Sequence, residues 1–413
     1  MSEVSLKTQA AKTAQHSFAL VSPRQKNEWL QNLSKLLLQK QDAILKANAL
    51  DVEASKSTLS EALLDRLSLN PHRIQAMAQG CLDLAQLEDP IGIPLDTYHR
   101  PNGLIIRKVS VPIGVIAIIY ESRPNVTVDA ACLCLKAGNT VVLRGGKEAL
   151  HSNQILIDIL KQSLQETQLN PEAIQFITDS SRDLALELMQ SAHTVDALIP
   201  RGSHRLIQSV LENARIPVIE TGTGNCHIYV ESSADQEMAK AILINAKCSR
   251  PGVCNAAEKC LVDQAIAQKF LTEVVPLLLA QNVQLRGCAQ AVQINSHITL
   301  ASSEDWSTEY LDLILGIKVV QNYEEAIAHI ETYGSHHSEA IITQDEKIAA
   351  YFQASVNAAA VYVNASTRFT DGYEFGFGAE LGISTQKLHA RGPMGLKELT
   401  TYKYLIQGQG QIR

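Results

Sequence analysis

Apolar residues over positions 1 to about 90 recur at helical spacing, as in NEWLQNLSKLLLQKQDAILKANALDVEA and PHRIQAMAQGCLDLAQL, with scarcely a strand-like run. This predicts a layer of amphipathic helices, each needing a surface on which to bury one face. Between Pro90 and Pro112 the texture changes to alternation on either side of Asn102-Gly103, which predicts a β-hairpin. From Ile113 to Val230 short apolar runs alternate with helical ones: IGVIAII, VTVDAACLCLKAG, TVVLRGG, SNQILIDILKQSLQ, IQFI, VDALIP and IPVIE. Such alternation predicts βαβ units, a parallel sheet with helices on both faces, and a ligand site at the carboxyl ends of the strands. A second alternating region follows, with the strand-like CLVD, KVVQ, AIIT and AAVYVNA and the helical AIAQKFLTEVVPLLLAQ and EEAIAHIETY. The tail, TTYKYLIQGQGQIR, reads as a strand predicted to pair with the hairpin of a neighbouring subunit. The expected fold class is therefore α/β, with two parallel-sheet domains and a small β element for oligomerisation. Residues 1–95 and 114–245 would form a nucleotide-binding domain, 246–390 a second domain, and 96–113 with 400–413 the hairpin and tail.

Composition narrows the function classes. A chain of 413 residues exceeds one compact core. Its net charge of −7 argues against nucleic acid or an anionic membrane as the main partner. The N-terminus lacks the apolar core of a signal peptide and no apolar run reaches about 18 residues, so a cytoplasmic location is expected. Eight cysteines, at 81, 132, 134, 226, 248, 254, 260 and 288, include no pair with the two-residue gap of a zinc or redox motif, so free thiols and no metal site are expected. Cys132 and Cys134 lie in an apolar helical run and read as core.

Candidate chemistry centres on NAKCSRPGVCNAAEKC, residues 245–260. Arg250, Pro251 and Gly252 break regular structure, and Asn255 to Glu258 are compatible with the first turn of a helix. A cysteine at a helix N-terminus is favoured as thiolate, which would make Cys254 a nucleophile; the alternative is a small apolar residue tucked under a turn. Cys254 would lie at the interdomain hinge, where ligand clefts form. Two strand ends suit phosphate. Arg144-Gly145-Gly146-Lys147 follows TVVL, and Arg201-Gly202-Ser203 opens the helical run HRLIQSVLENA. The dinucleotide fingerprint G-x-G-x-x-G is missing, and Gly222-Thr223-Gly224 is too short to replace it.

Longer stretches carry a resemblance. VPIGVIAII, LKAGNTVVLRGGKEA, the RGS turn, the cysteine segment and GPMGLKELTTYKY, in that order, resemble the aldehyde dehydrogenase superfamily across nearly the whole chain. The run from Val320 to Ile341, with His329, Tyr333, Ser335, His337 and Glu339 at fixed spacing, is similar to the branch that reduces γ-glutamyl phosphate, as are YESRPNVT, ETGTGNCHIYV and EFGFGAELGISTQKLHARGPMGL. The resemblance implies an aldehyde dehydrogenase-like fold and NADPH-dependent reduction of L-glutamate 5-phosphate to L-glutamate 5-semialdehyde, with release of phosphate, in proline biosynthesis. It implies a thioester on Cys254, resolved by hydride.

Site residues follow from the same resemblance. The fingerprint-free cofactor site would comprise Arg144, Gly145, Gly146, Lys147, Arg201, Gly202, Ser203 and Gly222, with Arg144 and Lys147 suited to a 2′-phosphate. The oxyanion would face the Cys254 N–H and a side chain of the Ser122 to Asn125 loop. Ser122 takes the place nearest to the superfamily's asparagine, Asn125 lies three further on, and the choice stays open. Glu220 falls near the glutamate that activates water in aldehyde-oxidising relatives and is either catalytic or structural. His329 reads as packed or capping. His337 is a candidate for substrate or phosphate contact and Arg368 for the α-carboxylate, with Arg391 and Lys387 as competitors. The implied partners are a small-molecule acyl phosphate, glutamate 5-kinase as its supplier, and further copies in a homo-oligomer. The nearest rival is an aldehyde dehydrogenase of another substrate class.

Overall fold

Capping residues set the first helices. Ser2, Ser22, Ser60 and Asn70 each accept a hydrogen bond from the first turn that follows, and Pro23 and Pro71 open α2 and α5, where a missing N–H costs nothing. The computed structural model describes residues 1–413, the side chain of residue 62 apart. Helices α1 (Glu3–Phe18), α2 (Pro23–Gln39), α3 (Gln41–Ser55), α4 (Glu61–Leu67) and α5 (Pro71–Gln86) precede β1 (Pro94–His99), β2 (Ile105–Pro112) and β3 (Val115–Tyr120). There follow α6 (Pro124–Lys136), β4 (Thr140–Arg144), α7 (Leu150–Glu166), β5 (Ile174–Phe176), α8 (Arg182–Met189), β6 (Ala197–Arg201) and α9 (His204–Asn213). Next come β7 (Cys226–Val230), α10 (Gln236–Cys248), β8 (Ala257–Asp263), α11 (Gln264–Ala280), β9 (Gln284–Gly287), α12 (Ala289–Ile294), β10 (Thr299–Leu300) and β11 (Ile314–Val320). The chain ends with α13 (Tyr323–Tyr333), β12 (Ser338–Ile342), α14 (Glu346–Ser355), β13 (Ala360–Val363), β14 (Ile383–Ser384), β15 (Gly392–Pro393) and β16 (Thr400–Gln407).

Two units divide the chain: Met1–Thr221 with Gly376–Gly382 and Met394–Arg413, and Gly222–Phe375 with Ile383–Pro393. The division at Gly222 falls earlier than the expected 245/246. The reason is pairing: β7 lies between β8 and β12, so it and α10 belong to the second sheet.

In the first unit a parallel sheet has the order β5-β4-β3-β6. Every residue of β3 is buried, as its unbroken apolar sequence requires for a strand covered on both faces. The chain steps outward from β3 through β4 to β5 and then returns to β6 on the far side of β3, so a topological switch point lies between β3 and β6. Val4 and Ala11 of α1 join Val115, Ala117, Ile119 and Val142 in the core. IPVIE does not become a strand. It forms only the bridge from Val218 to Leu198, since Pro217 has no N–H to extend the ladder.

The tail corrects another expectation. Strand β16 pairs antiparallel with this chain's own β2, from Thr400 opposite Pro112 to Gln407 opposite Ile105, and β1 completes a three-stranded sheet. Asn139 Nδ2 donates to the Leu399 carbonyl (2.9 Å) and anchors the start of β16 within the same unit. Intramolecular pairing of this kind carries no cost of association.

The second unit holds a parallel sheet of order β10-β9-β11-β8-β7-β12-β13. Alternate residues of each strand face opposite cores. Ile228, Val230, Cys260 and Val262 pack with Leu243 of α10 and Phe270 and Val274 of α11, while Tyr229, Leu261 and Ile341 pack with Ile330 of α13 and Phe352 of α14. No helix among the described residues is long and apolar enough to cross a membrane.

Candidate active site

Cys254 sits in the turn between α10 and β8, at the amino end of the second sheet. The expected helix after it does not form. Ala257 to Asp263 instead make a strand buried at every position, because AEKCLVD gains more from two ladder partners than from a helix with polar residues at its core face. The dipole of a helix starting after Cys254 is therefore not available to the thiol, and support for a thiolate is to come from neighbouring groups.

Arg368 supplies it. Its Nε donates to Ser249 Oγ (3.2 Å) and its Nη1 to Asn255 Oδ1, residues that bracket Cys254 on the same loop. Burial lowers the guanidinium's pKa and repulsion from Arg250 adds to this, while Asp371, Cys254 and Cys226 pull it back up. Attraction between a cation and a thiolate acts on both partners, so Arg368 favours the anionic sulfur. Asn255, almost fully buried, ties the loop further: its Nδ2 donates to the carbonyls of Thr370 (2.9 Å) and Arg368 (3.3 Å), and Thr367 Oγ1 donates to its carbonyl (2.7 Å).

Behind the loop lies Gly224. A Cβ built there would fall 1.6 Å from the Cys254 carbonyl oxygen, so only glycine permits this approach. Cys226 Sγ donates to the same carbonyl (3.1 Å) and lies 3.8 Å from His337 Nδ1. His337 Nδ1 also contacts Ser338 Oγ (2.8 Å), which leads to Thr370 Oγ1 (2.6 Å) and on to the Tyr362 hydroxyl (2.7 Å). His337 is fully buried, behind the loop that carries Cys254.

A polar layer under the strand ends holds this arrangement. Lys259 Nζ donates to Asn225 Oδ1 and the Thr308 carbonyl (both 2.8 Å), and Asn225 Nδ2 donates to the carbonyls of Trp306 (2.8 Å) and Tyr333 (2.7 Å). Lys247 pairs with Glu258 (3.2 Å), both fully buried. Burial pushes Glu258 up and pulls Lys247 and Lys259 down, with each opposite charge drawing its partner back. His227 and His329 are both brought down to about 3, chiefly by burial, so both rings are neutral. His227 donates its backbone N–H to Glu339 Oε2 (2.7 Å), and burial holds that carboxyl well above the usual range. The His329 ring packs against Trp306, His227 and Tyr333, as a packed core histidine does.

In the first unit the strand ends carry the remaining candidates. Ser122, at φ 41°, gives both its N–H and its hydroxyl to Glu148 Oε1 (2.7 Å each). Asn125, in the first turn of α6, gives one amide N–H to Asp129 Oδ2 (2.9 Å); burial pushes the Asp129 carboxyl up to about 6, and Asn125 and Arg201 oppose this. Arg144 Nη2 is spent on the carbonyls of Ser180 (2.8 Å) and Ser181 (2.9 Å), whereas Lys147 is exposed. A Cβ on Gly145 would meet Asn153 Nδ2 at 2.1 Å, and one on Gly146 would meet Glu148 Oε1 at 2.1 Å, so both glycines let neighbouring side chains close on the backbone. At α9 the Ser203 N–H donates to Glu121 Oε2 (2.7 Å), and that carboxylate also crowds Gly202. Gly222 falls in the second unit, with its N–H on the Ile383 carbonyl (2.9 Å) and Thr385 against its Cα. For a nicotinamide dinucleotide the residues present fit at the end of β4, where Lys147 is exposed and the buried Arg144 Nε lacks a partner among the described residues. Arg391 is held by Asn357 (2.7 Å).

Residues 2–308 match the aldehyde dehydrogenase family. The chain is 54% identical over 413 residues to a γ-glutamyl phosphate reductase of Heliobacterium modesticaldum, covering 100% of this chain and 99% of that one. It is 53% identical to the enzyme of the same name from Caldicellulosiruptor bescii, with 100% of both covered. The crystal structure of a γ-glutamyl phosphate reductase from Thermotoga maritima matches with TM-score 0.97 at 47% identity over 100% of both chains. An acetylating aldehyde dehydrogenase from Geobacillus thermoglucosidasius, 18% identical with TM-score 0.70 over 100% of this chain and 97% of that one, shares the fold.

Proposed function

The chain belongs to the aldehyde dehydrogenase family, and we infer that it reduces L-glutamate 5-phosphate to L-glutamate 5-semialdehyde with release of phosphate, in proline biosynthesis. The observation that carries the reading is Cys254 on a loop tied down at Asn255 and Gly224 beside the Arg368 cation. In this reading the second unit carries the nucleophile and the first binds the cofactor. The Cys254 thiolate attacks the γ-carbonyl carbon, the carbon–sulfur bond forms, and phosphate leaves with the electron pair of the broken carbon–oxygen bond. When bound, a reduced nicotinamide would supply the hydride needed to take the Cys254 thioester to the aldehyde. Arg368 holds the sulfur anionic before attack and again as the thiolate is released.

The Cys254 backbone N–H serves the oxyanion; of the two candidate donors in the first unit, Asn125 keeps the freer group. Ser122 has one hydroxyl proton and spends it on Glu148, whereas Asn125 has a second amide N–H beyond the one given to Asp129. Lys147 would hold the adenosine ribose end, where an exposed cation would favour NADPH through its 2′-phosphate. Arg144 holds the loop beside it. His337 fixes the loop from behind, and Arg368 meets an anionic group of the substrate.

The test runs in reverse, with glutamate semialdehyde, NADP⁺ and inorganic phosphate, following formation of reduced nucleotide. Turnover that requires both phosphate and Cys254 supports acyl-phosphate chemistry. Turnover that continues without phosphate points to hydrolysis of the thioester, and the rival aldehyde dehydrogenase reading replaces this one.

A further inference from the structure

We propose that Cys226 is a positioning residue for the nucleophile: its thiol, set in a closed ring of contacts through His337, Ser338 and Thr370, fixes the peptide unit that joins Cys254 to Asn255. The proposal rests on the reading of Cys254 as the nucleophile and names what holds its backbone at the reacting position.

Regular alternation along β7 would put Cys226 on the face of Ile228, which packs in the apolar core with Cys260 of β8. The register against β8 shifts, however, between Cys226, opposite Ala257, and His227, opposite Lys259. A bulge of this kind re-aims the side chain beside it. Cys226 accordingly meets polar atoms on two sides: Sγ donates to the Cys254 carbonyl (3.1 Å) and lies 3.8 Å from His337 Nδ1. Gly224 leaves the space in which that carbonyl sits.

The contacts close on themselves. From His337 Nδ1 they run to Ser338 Oγ (2.8 Å) and on to Thr370 Oγ1 (2.6 Å), and the Thr370 backbone carbonyl accepts from Asn255 Nδ2 (2.9 Å). Asn255 follows Cys254 in the chain, which completes the ring. All five residues of the ring that surround Cys254 are buried, so no water competes for these groups. A peptide unit moves as one plate, so a donor on the Cys254 carbonyl also holds the Cys254 Cα, from which the sulfur and the N–H both project. Thr370 holds the same plate one residue further on. Small changes in that plate swing the sulfur away from the carbon it attacks.

Two substitutions isolate the hydrogen bond from packing. Alanine and serine are of nearly equal volume and differ in one hydroxyl, so Cys226→Ala and Cys226→Ser share any packing loss, and only serine can still donate to the Cys254 carbonyl. In the reverse reaction Cys226→Ala should lower kcat about 10-fold or more and leave the KM for semialdehyde and for inorganic phosphate within about 2-fold, while Cys226→Ser keeps kcat within about 3-fold of wild type. A role in packing alone would lower the urea midpoint of both variants and leave the kcat of the folded enzyme unchanged. Equal kcat values in the two variants, or a loss that appears in KM, overturns the proposal. Should Cys226→Ala lose its fold, Ser338→Ala breaks the ring between His337 and Thr370; the same fall in kcat at unchanged KM is then expected, and an unchanged kcat overturns the proposal. Turnover that survives Cys254→Ala would instead sink the nucleophile reading itself.

Discussion

Gly224→Ala tests how far catalysis depends on one close approach of backbone to backbone. The new methyl group would lie 1.6 Å from the Cys254 carbonyl oxygen, 2.3 Å from its carbonyl carbon and 2.6 Å from its Cα. Ordinary contact begins at 3.4 Å, so the nucleophile loop must retreat by roughly 2 Å, or the 222–225 turn must move by a similar amount. The turn is poorly placed to move. Gly224 N–H is bonded to Glu309 (2.7 Å), and Asn225 is held at its backbone N–H by Ser335, at Nδ2 by the Trp306 and Tyr333 carbonyls and at Oδ1 by Lys259. Overpacking of this kind costs about 1–3 kcal/mol of stability. A misplacement of about 1 Å at a reacting atom costs about 100-fold, so kcat should fall at least that far, equivalent to about 2.7 kcal/mol in the barrier. Steady-state kinetics beside a urea titration separates the two effects. A variant that remains folded and keeps kcat within about threefold of wild type would show that the loop geometry does not control the chemistry.

Three further perturbations follow from the same structure. Lys247→Met removes the buried ion-pair partner of Glu258 (3.2 Å); breaking such a pair should cost about 3–5 kcal/mol in urea unfolding, and a loss below about 1 would mean that the charges are not coupled. His329 has its folded pKa near 3 against 6.5, so it binds fewer protons when folded, and its contribution is intact above the unfolded value and lost as pH falls through 6.5 towards 3. Between about pH 7.5 and pH 5 this loss amounts to about 2 kcal/mol. Glu339, with its raised carboxyl, runs in the opposite direction, so the check is a difference: His329→Phe should lose about 2 kcal/mol less than wild type over that interval, and equal losses would contradict the neutral ring. Lys147→Glu should weaken NADPH binding, measured by nucleotide fluorescence, about 10-fold or more while NADH changes little; equal weakening would remove Lys147 from the 2′-phosphate.

Much of this was legible in the sequence, and the failures have physical causes. Alternating runs located β3 to β6 with α6, α7 and α9, since strands buried on both faces read as unbroken apolar segments. Short or polar strands escaped: QLRG of β9 and the two residues of β10 carry no periodicity to detect. NAAEKC read as a helix start because its propensity is helical, and sheet pairing overrode it. Cys254 was visible, but Arg368, more than a hundred residues later, could not be tied to it without the 3-10 turn at Thr367–Phe369 that carries it to the loop. Gly224 did leave a signal. A G-x-G that opens neither a helix nor a phosphate loop marks a close backbone approach, and here the neighbour is the nucleophile itself. The arginine after β4 and the Arg201-Gly202-Ser203 turn read as phosphate sites from residue type alone, and nothing in the sequence shows that Ser180 and Ser181 hold Arg144 or that Glu121 bonds Ser203.

The central claim is a thioester on Cys254 that phosphate, and not water, resolves. Mixing the enzyme with semialdehyde and NADP⁺ without phosphate, and following reduced nucleotide together with the mass of the Cys254 peptide, tests it most directly. The account predicts a burst of one reduced nucleotide per active site, a γ-glutamyl adduct on Cys254, and steady turnover only once phosphate is added. Continuous turnover before phosphate, or an unmodified Cys254 after the burst, would contradict it.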